Sequence, residues 1–116
     1  MEEYRVREST IEAYLRDRVK EMGGKAYKFV SPGNDGVPDR LVCLPGGRTV
    51  FVETKRPGEK PTKLQRNRHK ELRKMGQVVF GKVDSRWGVD RVIQLAAGRE
   101  PITQQDIEEL EMQDVE

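Results

Sequence analysis

The sequence predicts an α/β fold in which a helix, three strands, a second helix and a fourth strand form a mixed sheet flanked by helices. Three observations predict it. Apolar residues recur at helical spacing before Gly23-Gly24 and again between Leu64 and Met75, the pattern of a helix with one buried face. Leu41-Val42-Cys43-Leu44 and Thr49-Val50-Phe51-Val52 are short apolar runs on either side of Pro45-Gly46-Gly47, as the strands of a hairpin are. Both runs are apolar on both faces, which implies a sheet covered on each side.

The elements follow in order. The first helix is expected from about Ser9 to Met22, with Ile11, Tyr14, Leu15, Val19 and Met22 on one face and Gly23-Gly24 as its stop. Ser9 reads as its cap and Glu12, three residues later, completes a capping box. Lys25 to Val30 reads as a strand, and residues 31–36 as the loop that leads to Asp39. The hairpin follows. A second helix is expected from Lys63 to Met75, with Leu64, Leu72 and Met75 inward, and Gln77 to Val83 is the last strand. Ser85 heads a further helix through Arg91, Val92 and Leu95, and Thr103 to Met112 forms an acidic terminal one.

The hairpin gives the chemistry. If Leu44 faces Arg48 across the turn, counting outward pairs Asp39 with Glu53, with Cβ atoms roughly 4.5 to 5.5 Å apart. Alternation along the strand puts Lys55 on the face of Glu53 and turns Thr54 away. Two opposed carboxylates repel one another, and one tends to take up a proton. A divalent cation removes that penalty. Oxygen ligands favour Mg²⁺ or Mn²⁺ over zinc, and Mg²⁺ works with one or two carboxylates, waters and substrate phosphate. The cluster suits metal-dependent cleavage of a phosphodiester, with Lys55 orienting the nucleophile or neutralising charge on the phosphate.

Gly36-Val37-Pro38-Asp39, the hairpin, Glu53-Thr54-Lys55 and Gln65 heading a helix together resemble the PD-(D/E)XK nuclease superfamily, specifically its stand-alone, virus-type VRR-NUC branch. The resemblance spans residues 7–84 and includes Gly23-Gly24, Gly58 and Gly76. It implies a restriction-endonuclease-like core in which Asp39 and Glu53 hold Mg²⁺, for which Mn²⁺ substitutes, with the Thr54 carbonyl. It implies that Lys55 acts at the phosphate and that a glutamate of the first helix adds a ligand. Glu8 is the favoured glutamate by its spacing to Ile11 and Leu15, and Glu12 is the alternative. Gln65 has two candidate roles, beside the site as the resemblance implies, or in a capping box with Thr62.

Composition sets the surroundings. At 116 residues the chain is long enough for one domain, read as a nuclease domain over residues 1–100 with an acidic tail or helix over residues 101–116. The tail holds six acids and no base, which leaves 22 bases against 14 acids, or +8, on the remainder. Nine bases from Lys55 to Lys74 face only Glu59 and Glu71, a surface suited to a polyanion. Lys63, Arg66 and Lys70 within it, with Lys28 and Arg40 near the site, are the expected DNA contacts. His69 is expected at the surface or at a phosphate, Tyr27 and Trp87 in the core, and Cys43 as a small buried hydrophobe. One cysteine excludes an intramolecular disulfide and a cysteine-rich metal site.

No apolar leader or membrane-length segment is visible, so a cytoplasmic location, in a viral or bacterial cell interior, is expected, without secretion or membrane contact. The expected activity is a Mg²⁺-dependent endodeoxyribonuclease. The resemblance implies branched DNA or four-way (Holliday) junctions as substrate, a homodimer that presents two sites, and replication or repair partners. A nicking, flap-cutting or restriction-type nuclease acting with partner proteins is the alternative, and a DNA-binding module without catalysis is another.

Overall fold

The computed structural model describes residues 6–112. Positions 1–5 of the expected nuclease domain, and positions 113–116 of the acidic tail with Asp114 and Glu116, lie outside the described residues. The elements run α1 (Glu8–Glu21), β1 (Lys25–Lys28), β2 (Arg40–Cys43), β3 (Thr49–Thr54), α2 (Lys63–Lys74), β4 (Val79–Val83), α3 (Arg86–Ala97) and α4 (Gln104–Met112). The strands lie in the order β1-β2-β3-β4, with β1/β2 and β2/β3 antiparallel and β3/β4 parallel. The mixed α/β architecture is the expected one.

Ile11, Leu15 and Val19 of α1 are buried against Val42, Val50 and Val52 of the hairpin. Phe80, Val83, Val89, Val92, Ile107 and Leu110 extend the same core through β4, α3 and α4. Glu12 of α1 reaches Arg40 on the face of Val42, whereas Gln65 and His69 of α2 reach Glu53 on the other face. The sheet is therefore covered on both sides, and the site lies under α2.

Several local expectations are corrected. Arg7 is the N-cap of α1 without a side-chain cap bond, and Ser9 lies inside the first turn. The Ser9–Glu12 capping box does not form, because the Glu12 carboxylate accepts from Arg40 Nε at 3.1 Å and pairs with Nη2 at 3.0 Å. On α2, Leu64 and Met75 are exposed, and the buried residue is His69. Leu64 instead rests on Gly36, whose φ of +91° suits glycine and whose missing Cβ would lie 2.9 Å from Leu64 Cγ. Tyr27 is 49 % and Trp87 43 % exposed, so neither belongs to the core. Ser85 does cap α3, accepting from Gly88 N–H.

β4 ends the sheet, and its outward groups find partners outside it. Gly81 N–H donates to Glu111 of α4, and Val79 C=O accepts from Arg73 Nη2 at 2.7 Å. Arg73 and Glu111 pair at 2.9 Å. This closes an edge that would otherwise offer free backbone groups to another strand. No helix among the described residues is long and apolar enough to cross a membrane.

Candidate active site

The hairpin register is the predicted one. Leu44 N–H donates to Arg48 C=O at 3.1 Å, and the last paired rung is Arg40 with Val52. Asp39 and Glu53 stand one step beyond it. A bulge lies beside them, since Val52 pairs with Phe80 but Thr54 with Val83, which gives β4 one extra residue in that interval. Glu53, Thr54 and Lys55 are consecutively buried, at 4 %, 0 % and 6 % exposure, at the end of a central strand covered on both faces.

Thr54 is more engaged than strand alternation predicts. Its N–H donates to Asp39 Oδ1 at 3.1 Å and its hydroxyl to Asp39 Oδ2 at 2.8 Å. Rather than turning away from the site, Thr54 clamps one of its carboxylates. Lys55 Nζ lies 3.9 Å from Glu53 Oε2, on the predicted face. Gln65 fills both of its candidate roles. Its Oε1 accepts from Thr62 N–H at 2.9 Å while Thr62 Oγ1 accepts from Gln65 N–H at 3.1 Å, and its Nε2 donates to Glu53 Oε2 at 3.4 Å.

Burial works against ionisation here. It pushes Asp39 up to about 6, helped by the Glu53 charge and opposed by the two Thr54 hydrogen bonds. It pushes Glu53 up to about 7, against the Lys55 ammonium and with the Glu8 carboxylate. Glu8 is raised by burial and then by Asp39, so it belongs electrostatically to the cluster. Glu12 is committed to Arg40 instead. Arg40 itself is buried, with Nη1 donating to Ala26 C=O. It does not present its guanidinium to a ligand as a surface cation would. Lys28, Lys63, Arg66 and Lys70 are exposed.

His69 is the residue that sequence reasoning misplaced. It is 2 % exposed, with Nε2 3.9 Å from Glu53 Oε1, and both atoms are buried without a hydrogen-bond partner. Burial and then the Arg73 charge lower its pKa to about 4. The ring is neutral at neutral pH, so the contact is not an ion pair, and it is too long for a hydrogen bond. Gly81 makes room for it, since a Cβ there would lie 2.6 Å from His69 Nδ1. The signal lay in spacing, because Gln65, His69 and Arg73 recur every four residues and share a face.

The donor set can be weighed against a cation. Among the described residues no three His, Cys, Asp or Glu side chains are already gathered as metal ligands. Mg²⁺ does not need three, because it keeps waters and binds through one or two carboxylates. Two buried carboxylates with raised pKa values, one with an unpartnered oxygen, fit such an ion.

No family model matches the chain. It is 55 % identical over 75 residues to "Putative nuclease p44" of Acyrthosiphon pisum secondary endosymbiont phage 1, covering 65 % of this chain and 81 % of that protein. A solved structure described as a VRR_NUC domain matches with a TM-score of 0.69 and 38 % identity, over 75 % of this chain and 94 % of the other.

Proposed function

Since the chain belongs to the VRR-NUC family of nucleases, we propose that it is a Mg²⁺-dependent endonuclease that hydrolyses phosphodiester bonds in DNA. The observation that supports this reading most is the placement of Asp39 and Glu53 on opposed strands with Lys55 Nζ 3.9 Å from Glu53. In this reading Asp39 and Glu53, with the Thr54 carbonyl, would hold the cation, and Glu8, which is not yet gathered with them, would join as a further ligand. The cation, for which Mn²⁺ substitutes, supplies Lewis-acid stabilisation of charge on the phosphate.

The chain's own residues do the rest. Thr54 fixes both oxygens of Asp39, and Gln65 steadies Glu53 from a helix start that its own capping box holds. Lys55 orients the attacking water and offsets charge developing on the phosphate. Lys28, Lys63, Arg66 and Lys70 hold the backbone of the polyanion next to the acidic centre. The substrate class is branched DNA, four-way junctions included, cut by a homodimer because paired cuts need two sites and one chain supplies one.

The test incubates labelled four-way junction, flap and linear duplex with Mg²⁺ or with EDTA. Cleavage in Mg²⁺ alone, fastest on the junction, is expected. Asp39→Ala and Lys55→Ala should each slow it by about 10²- to 10³-fold, the scale of losing one stabilising group in a preorganised site. Metal-independent binding of all three substrates with no cleavage of any would leave only a binding module.

A further inference from the structure

A cavity of about 310 Å³ opens between α2, the loop before it, β4 and α4. Its size is at the low end of small-ligand pockets, roughly 300 to 1,000 Å³. Lys60, Arg66, Lys70, Arg73 and Lys82 line it, and Glu111 is the single acid among the lining residues. Five cations face one lining carboxylate, and although Lys82 also pairs with Asp84 at 3.7 Å, the cavity keeps a net positive charge. Glu111 is already committed to Gly81 N–H and Arg73 Nη2, while Arg73 Nε is buried without a partner. The cavity is thus a place where anion-binding groups outnumber the anion the protein itself provides.

Its position relates it to the catalytic centre. His69 lines the cavity, and His69 Nε2 lies 3.9 Å from Glu53 Oε1. One imidazole ring therefore separates the cavity from the opposed carboxylates. We infer that this cavity binds a second phosphate group of the DNA, held beside the scissile one with the His69 ring as the wall between them. The inference rests on the nuclease reading, since DNA is the polyanion that reading brings to the site. Lys82 comes from β4 and Lys60 from the loop before α2, so the cavity grips a strand from two elements at once. The phosphate comes from within the strand or from its 5′ end, and the chemistry that recognises it is the same.

Fluorescence anisotropy in EDTA separates the two sources without any need for cleavage. Labelled linear duplexes bearing a 5′-phosphate or a 5′-hydroxyl are titrated with the parent protein and with the Lys60→Ala/Lys82→Ala variant. The variant's Kd is expected to rise about tenfold, and its dependence of log K on log salt to flatten by about 1, the slope of one lost phosphate contact. A loss on both duplexes assigns the cavity to an internal phosphate, and a loss on the 5′-phosphorylated duplex alone assigns it to a strand end. Unchanged Kd and slope on both overturn the inference. A thermal midpoint checks folding, and Lys60→Gln, at an exposed position, repeats the test if the double variant melts early. Cavity-dependent binding without cleavage in Mg²⁺ would sink the nuclease reading and leave the cavity standing. Cleavage with binding indifferent to Lys60 and Lys82 would do the reverse.

Discussion

Glu53 is surrounded by groups that each hold it incompletely: Lys55 at 3.9 Å, Gln65 at 3.4 Å and a neutral His69 at 3.9 Å. In metal-free protein this has a measurable cost. The folded values of Asp39 and Glu53, about 6 and about 7, lie above the ordinary 3.8 and 4.5. Between those limits the folded chain binds more protons than the unfolded one, so their contribution to stability falls as pH rises. His69 runs the other way, since its folded value of about 4 is below 6.5 and its contribution grows as pH rises through that window. Comparison with Glu53→Gln isolates the carboxylate. In EDTA the variant's thermal midpoint should gain on the parent by about 4 °C or more between about pH 5 and pH 8, the effect of ~1 kcal/mol in a domain of this size. A difference constant with pH would refute the buried-carboxylate account. The opposed acids were legible because strand register is arithmetic. His69 was missed, since a lone histidine in a basic helix has no apolar repeat to mark its inward face and only its four-residue spacing from Gln65 and Arg73 does so.

At the scale of elements, α2 does two things through one side chain. Its capping box satisfies helix-start N–H groups, and the same Gln65 reaches into the site. Thr62→Ala should cost about 1 kcal/mol, the usual value of a lost N-cap, read as a lower urea midpoint. The hairpin was readable from its turn and its two apolar runs, and its observed register reproduces the expected pairing. The inward face of α2 was not readable from apolar spacing, because the helix covers a polar site and turns Gln65 and His69 toward it while leaving Leu64 and Met75 exposed. The bulge in β4 was likewise hidden. It depends on which residues of two distant segments pair, and Gly81 gives no hint of it in isolation.

Across the whole molecule, charge and topology are divided. Four bases of the run from Lys55 to Lys74, namely Lys60, Arg66, Lys70 and Arg73, line the cavity beside His69, while the acidic α4 buries Ile107 and Leu110 and uses Glu111 to close the sheet edge. The charge asymmetry was plain in the sequence, but the task of α4 depends on where β4 ends the sheet. Tyr27 and Trp87 were misjudged because aromatic character does not say which face of its element a residue takes, and both stand exposed. The fold as a whole holds two mutually repelling carboxylates in one buried site, and the proposed divalent cation would offset that repulsion. Titration calorimetry of Mn²⁺ into the protein tests this most directly. Saturable binding is predicted for the parent, its loss in Asp39→Asn, and its retention in Glu12→Gln, whose carboxylate is committed to Arg40. Equal binding by the parent and Asp39→Asn would contradict the assignment of the hairpin carboxylates as the metal centre.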